Sequence, residues 1–163
     1  MVVMDEHETI NWFTINGIDI KNISKNYTLA LSGKIPVDSG KKNCLAKKIA
    51  EIFNEDETLL YIHEYGIWPS CENMYLFDGY RKSIGIDEKI HEKPSHILKQ
   101  NENTALYCLV DMVLYFFMGC VITKTENPDK IIFISHDECI DIYTKNGTKI
   151  ITDDIKNLIL HDH

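Results

Sequence analysis

The longest apolar run in the chain is residues 105–118, ALYCLVDMVLYFFM, broken only by Asp111. Spanning a bilayer takes roughly 20 such residues, so this run of 14 is expected to be a helix buried in the protein's own core, at about residues 103–118. Asn101 or Asn103 is placed to cap its start, and Gly119 to end it. Asp111 is the anomaly in that pattern, because a buried carboxylate must find a partner or take up a proton. Arg81, the only arginine among 17 basic residues, is the natural candidate.

Around this helix the chain shows alternating β and helical signals. Residues 9–19, TINWFTINGID, have β-branched alternation with Asn16-Gly17 inside, which suggests an extended segment or a hairpin. Residues 27–31 suggest a short strand. Asp38 or Ser39 then caps a helix whose Leu45, Ile49, Ile52 and Phe53 recur every three or four residues. Residues 58–62, TLLYI, form a short apolar run bounded by polar residues, as a buried strand does. Ser70 is a good N-cap for a helix running to about Ser83, stopped by Gly85. Residues 86–100 suggest a loop. Residues 120–124, 130–135 and 140–144 suggest three strands, the first pair turned by Asn127-Pro128-Asp129, and Thr152 begins a terminal helix that frays toward His161 and His163. The expected fold is α/β or α+β: a single compact domain over 1–163, with a mixed sheet of about four to six strands, at least one parallel crossover permitted, and amphipathic helices flanking the buried one.

Charge and cysteine content exclude several function classes. The formal net charge of −8 argues against nucleic-acid binding, which runs on clustered cations that displace phosphate counterions. The five cysteines are odd in number and lack paired spacing, so they are expected to be reduced core thiols. Acids at Asp5, Glu6 and Glu8 stand where a signal peptide would be basic and then apolar, and a cytoplasmic protein without membrane association is expected.

Several landmarks between residues 59 and 141 come in a specific order: GIWPS at 66–70 followed by Glu72 and Asn73, the aromatic-rich stretch 75–85 with Arg81 and Ser83, Lys93-Pro94-Ser95-His96, and ISHDE at 134–138. In this half of its length the chain resembles a family of bacterial proteins with a GIWPS-x-EN motif and a downstream ISHDE motif. Relatives read Pro-Gly-His where this chain has Pro94-Ser95-His96. The resemblance carries no activity, substrate or cofactor.

Two groups of residues could carry chemistry. At the turn after strand 58–62, a strand end feeds a helix N-terminus, whose free amides and dipole favour anions. There Trp68 could stack on a ring, Ser70 could donate a hydroxyl, and Glu72, Asn73 and Arg81 could orient a ligand. The competing structural roles are Ser70 as an ordinary cap, Pro69 as a rigid entry and Trp68 as a core lid. Cys71 has the favourable helix-start position but no evident base. The second group, His136, Asp137 and Glu138, follows an apolar strand; His136 and Asp137 are its candidate metal ligands, although neighbouring strand residues face opposite ways. If His63, Glu64 or His96 approached His136, a histidine–carboxylate site for acid–base work could form; otherwise His136 caps its strand and Asp137 and Glu138 begin a turn. No phosphate-cradling glycine loop, nucleophile elbow or zinc-ligand spacing occurs, and no cofactor is expected.

Three functions follow as expectations. The first is a non-catalytic binding protein of the immunity or inhibitor kind, acting on a basic protein partner through complementary charge. The second is a small hydrolase-like enzyme built from residues 63–73 with His96 and the His136–Glu138 group. The third is a small-ligand or anion sensor using the same turn.

Overall fold

The computed structural model describes residues 1–65, 72–145 and 153–159. Its elements run β1 (Val2–Met4), α1 (Glu6–Ile15), β2 (Thr28–Lys34), α2 (Ser39–Ile52), β3 (Thr58–Glu64), α3 (Glu72–Ser83), β4 (Ser95–Leu98), α4 (Asn103–Phe116), β5 (Gly119–Lys124), β6 (Lys130–Ile134), β7 (Cys139–Thr144) and α5 (Asp153–Leu158), with a 3₁₀ segment at Ile20–Lys25. The strands make one seven-stranded sheet in the order β1-β4-β3-β5-β6-β7-β2. Every neighbouring pair is antiparallel. The fold is therefore α+β. The expected mixed sheet with a parallel crossover is corrected to an antiparallel one, and the strand count exceeds the expected range.

Two-residue alternation divides the sheet's faces. Leu60, Ile62, Cys120, Ile122, Ile132 and Ile134 join the cluster built with α2, α4 and α5. Leu59, Tyr61, Val121 and Ile131 turn the other way, onto Phe13 of α1 and Ile18 and Ile23 beyond it. Helix α2 starts as expected at Asp38, whose carboxylate accepts from Lys41 N at 2.8 Å, and it buries Leu45, Ala46 and Ile49 completely. Each such large aliphatic side chain contributes about 1.5–3 kcal/mol of transfer free energy.

Three local readings are corrected. Residues 6–15 are helical because Asp5 and Glu8 form a reciprocal capping box, with Glu8 N donating to Asp5 Oδ1 and Asp5 N to Glu8 Oε2, each at 2.8 Å. The cap overrides the β-branched alternation that followed it. Asn16-Gly17 is then the helix stop: Gly17 has φ 66°, and Ile18 N reaches back to Phe13 O at 2.9 Å. Residues 95–98 are strand, not loop. Ser95 is fully buried there, and its hydroxyl is satisfied by that of Thr9 at 2.7 Å. Helix α4 is buried along one face by Leu106, Leu109, Val110, Val113 and Leu114, whereas Tyr115 on its outer side is exposed. It ends at Phe116, ahead of the expected glycine, and is capped two residues before Gly119 by Phe117, which takes the left-handed conformation (φ 54°) itself.

Asp111 does not meet Arg81. The Arg81 guanidinium, fully buried, lies 3.4 Å from Asp78 and donates to Lys93 O at 2.8 Å. Asp78 also accepts from Ile90 N at 2.8 Å. Arg81 and Asp78 thus fasten the chain between α3 and β4 to the helix. Burial holds the Asp111 carboxyl above its ordinary range, opposed by the Asn43 amide. Among the described cysteines, Cys44 is exposed rather than in the core, and Cys120 is fully buried, its thiol pushed well up by burial. No helix among the described residues is long and apolar enough to cross a membrane.

Candidate functional site

At one end of the sheet, β3 breaks its register between Ile62 and Glu64, which pair with Cys120 and Gly119 respectively. His63 is the extra residue of this bulge. Bulges re-aim side chains, and here the break sets Glu64 directly across from the one β5 residue without a side chain. A Cβ on Gly119 would stand 2.9 Å from Glu64 Cβ and 3.0 Å from its Cδ. The bare glycine lets the Glu64 side chain lie over β5, and its Oε2 reaches His136 Nδ1 at 2.6 Å.

His136 belongs to the turn joining β6 and β7. Ser135 N bonds Cys139 O at 2.9 Å, closing a three-residue loop, and Asp137 N bonds Ser135 Oγ at 3.1 Å. Glu138 closes the loop in the left-handed region, φ 62°, where three-residue hairpins place glycine most readily. Its carbonyl accepts from Ile35 N at 2.7 Å, tying the turn to the end of β2. The chain has indeed turned by His136. Consequently His136 meets Glu64, Asp137 extends into solvent with one oxygen 3.4 Å from His136 Nε2, and Glu138 serves the turn.

The charges of this cluster are mutually adjusted. The Glu64 hydrogen bond and charge hold the His136 imidazole above its usual range. Burial draws Glu64 upward, but the His136 bond and the charges of His63 and His136 prevail and leave the carboxyl below its usual range. His63 moves the other way. Burial lowers it, partly opposed by Glu64, because it continues the Tyr61 face and packs between Tyr61 and Phe133, ring centroids 5.9 and 6.2 Å away. Its Nε2 is buried without a hydrogen-bond partner among the described residues.

His96 is not part of this group. In register it opposes Leu60, so it faces the α2 and α4 side while His63 faces the α1 side. It is fully buried, and burial, reinforced by Arg81, pushes its imidazole down to about 3. Arg81 lies on that same interior side. Trp68, Ser70 and Cys71 lie outside the described residues, as do the side chains of Glu72 and Asn73 and residues Thr152, His161 and His163. Of the sequence-derived candidates, the structure brings together His63, Glu64, His136 and Asp137. It separates His96 and Arg81 from them. Among the described residues no group of three or more histidines, cysteines or carboxylates is arranged to hold a metal ion.

Two features escaped the sequence reading. One is Gly119, interpreted there only as a helix stop although it also begins β5. The other is a cleft of about 420 Å³ at the opposite end of β3 and β5, lined by Glu55, Asp56, Glu57 and Glu126 with Lys99 and Lys124. Lys130 neutralises Asp56 at 2.6 Å, and Lys124 is drawn to Asp129 at 3.0 Å. Among the described residues the Glu57 carboxylate meets only the Thr125 hydroxyl, at 2.9 Å. Glu55 and Glu126 have no cationic partner among the described residues. The signal was the acidic run at 55–57, whose partner across the strand ends is set by sheet pairing alone.

Comparison with family models, with curated proteins and with solved structures gives no match.

Proposed function

We propose that this chain is a non-catalytic binding protein of the inhibitor or immunity kind, which recognises a basic protein partner through its acidic surface. The observation that carries the reading is the cleft at residues 55–57 and 126, where carboxylates outnumber ammonium groups in a chain of net charge −8. Uncompensated carboxylates around an open cleft suit a lysine or arginine side chain, and the overall field speeds the approach of a cationic partner. The experiment is affinity capture from the native cell at low and at raised salt, using the wild-type chain beside a Glu55→Gln/Glu57→Gln/Glu126→Gln variant. The reading requires a captured protein that is basic, released by salt and lost to the triple variant. A partner that is acidic, or held equally by both chains, refutes it.

A second reading, an acid–base site, is favoured by one arrangement: the bulge, Gly119 and the 2.6 Å contact together orient His136 through Glu64. A carboxylate on Nδ1 leaves Nε2 as the working atom, the division of labour used by histidine bases. Asp137, on a solvent-exposed side chain, would have to swing off Nε2 first. A hydrolytic activity abolished by both Glu64→Gln and His136→Gln supports this reading; one indifferent to both removes it.

A further inference from the structure

On the opposite face of the sheet from α2 and α4, the end of α1 and the 3₁₀ segment enclose a groove of about 530 Å³. Phe13 and Ile18, both buried, form its floor, and Ile10 and Ile20 form walls. Ile10 remains half exposed although it belongs to this apolar surface. Gly17 leaves one side open, since a Cβ there would meet nothing within 4 Å. Lys21 and Lys25 stand at the rim, and neither has a carboxylate partner among the described residues. The one acid among the described residues lining the groove, Asp19, is already occupied: Oδ1 accepts from Lys21 N and Asn22 N, and Oδ2 from Asn22 Nδ2, each at 3.2 Å.

An apolar floor with a few polar groups at the mouth is the usual make-up of a small-molecule site, and the volume lies within the range of roughly 300–1,000 Å³ such sites occupy. The two unpaired ammonium groups set the sign of the ligand. They disfavour the cationic partner proposed for the acidic cleft, and two copies of a chain of net charge −8 repel each other on approach. We infer that this groove binds a small amphipathic anion: one carboxylate held at Lys21 and Lys25, and an aliphatic or aromatic body laid on Phe13, Ile18 and Ile10. The inference is independent of the proposed function, since it concerns another face and the opposite charge.

The test uses octanoate, 1-octanol and octyltrimethylammonium as probes of one chain length and three charges, read by amide NMR shifts of the full chain. Octanoate is expected to shift amides of residues 10–26 in a saturable way and to bind roughly ten-fold more tightly than octanol, about one charge-assisted contact. The Lys21→Glu/Lys25→Glu variant changes two exposed side chains, and retention of the wild-type spectrum verifies its fold. It should lose the octanoate preference and prefer octyltrimethylammonium. Absence of saturable shifts overturns the inference, as does equal binding of octanoate and octanol. A dimer that Ile10→Asp dissociates would also overturn it, by showing that a second copy covers the groove.

Discussion

Lowering the pH should destabilise this protein through His96 by an amount its surroundings fix. In the folded chain the imidazole titrates at about 3, against 6.5 when unperturbed. Between those values the unfolded chain takes up a proton that the folded chain refuses, so stability falls as pH falls and is unaffected above the unfolded value. At pH 5 the unfolded form is favoured by RT ln[(1 + 10^1.5)/(1 + 10^−2)], about 2 kcal/mol relative to pH 8. Because the ring is fully buried, solvent screening does not dilute this figure. Its neighbour Arg81 adds to the penalty, opposed in part by the backbone at Leu60. His96→Leu keeps a similar volume and removes the titration along with two buried ring nitrogens that have no hydrogen-bond partner among the described residues. Urea unfolding of both chains at pH 8 and pH 5 measures the difference directly. The wild type should lose about 2 kcal/mol more than His96→Leu over that interval. Equal losses would refute the claim that His96 is held neutral, because the other titrating groups, His63 included, are common to both chains.

The sheet-end cluster yields three further expectations. Gly119→Ala forces Glu64 off β5, and over-packing of this kind costs about 1–3 kcal/mol; in NMR titration the same variant should return the His136 pKa toward its ordinary value, and an unmoved His136 would show that Glu64 reaches it without the glycine. In the wild type that titration should place His136 above ordinary imidazole, and Glu64→Gln should lower it. The pair's contribution to stability, greatest between the ordinary carboxylate and imidazole values, should then fade as pH rises through the raised His136 value and as pH falls through the lowered Glu64 value. Glu138→Gly relieves a left-handed backbone and should stabilise the chain by up to about 1 kcal/mol, less the added freedom of the unfolded glycine; loss of stability in thermal unfolding would mean the Glu138 side chain matters more than its backbone.

Where a helix or strand carried its own punctuation, the sequence was informative. Asp38 capped α2 as expected, the three runs at 120–124, 130–135 and 140–144 became β5, β6 and β7, and the apolar run at 58–62 became β3. Misreadings occurred where a short local signal competed with a longer pattern. The Asp5–Glu8 box outweighed β-branched alternation in α1, and Asn16-Gly17 ended that helix instead of turning a hairpin. Strand β4 is four residues long and owes its place to β1 and β3 on either side, information absent from its own residues. Strand direction was likewise invisible, because buried antiparallel and parallel strands share the same apolar runs. The approach of Glu64 to His136 was foreseeable as chemistry. Its cause, a bulge set against Gly119, depends on pairing between segments more than fifty residues apart, and a different pairing, β4 with β3, carries His96 to the other face.

The acidic cleft is the feature on which the proposed function rests, and the most direct measurement is an amide NMR titration of the full chain with a lysine-rich peptide at low salt. Saturable shifts centred on residues 55–57, 99–101 and 124–126, abolished in the Glu55→Gln/Glu57→Gln/Glu126→Gln variant, are the predicted result. Shifts scattered over the whole acidic surface, or retained in the variant, would contradict it.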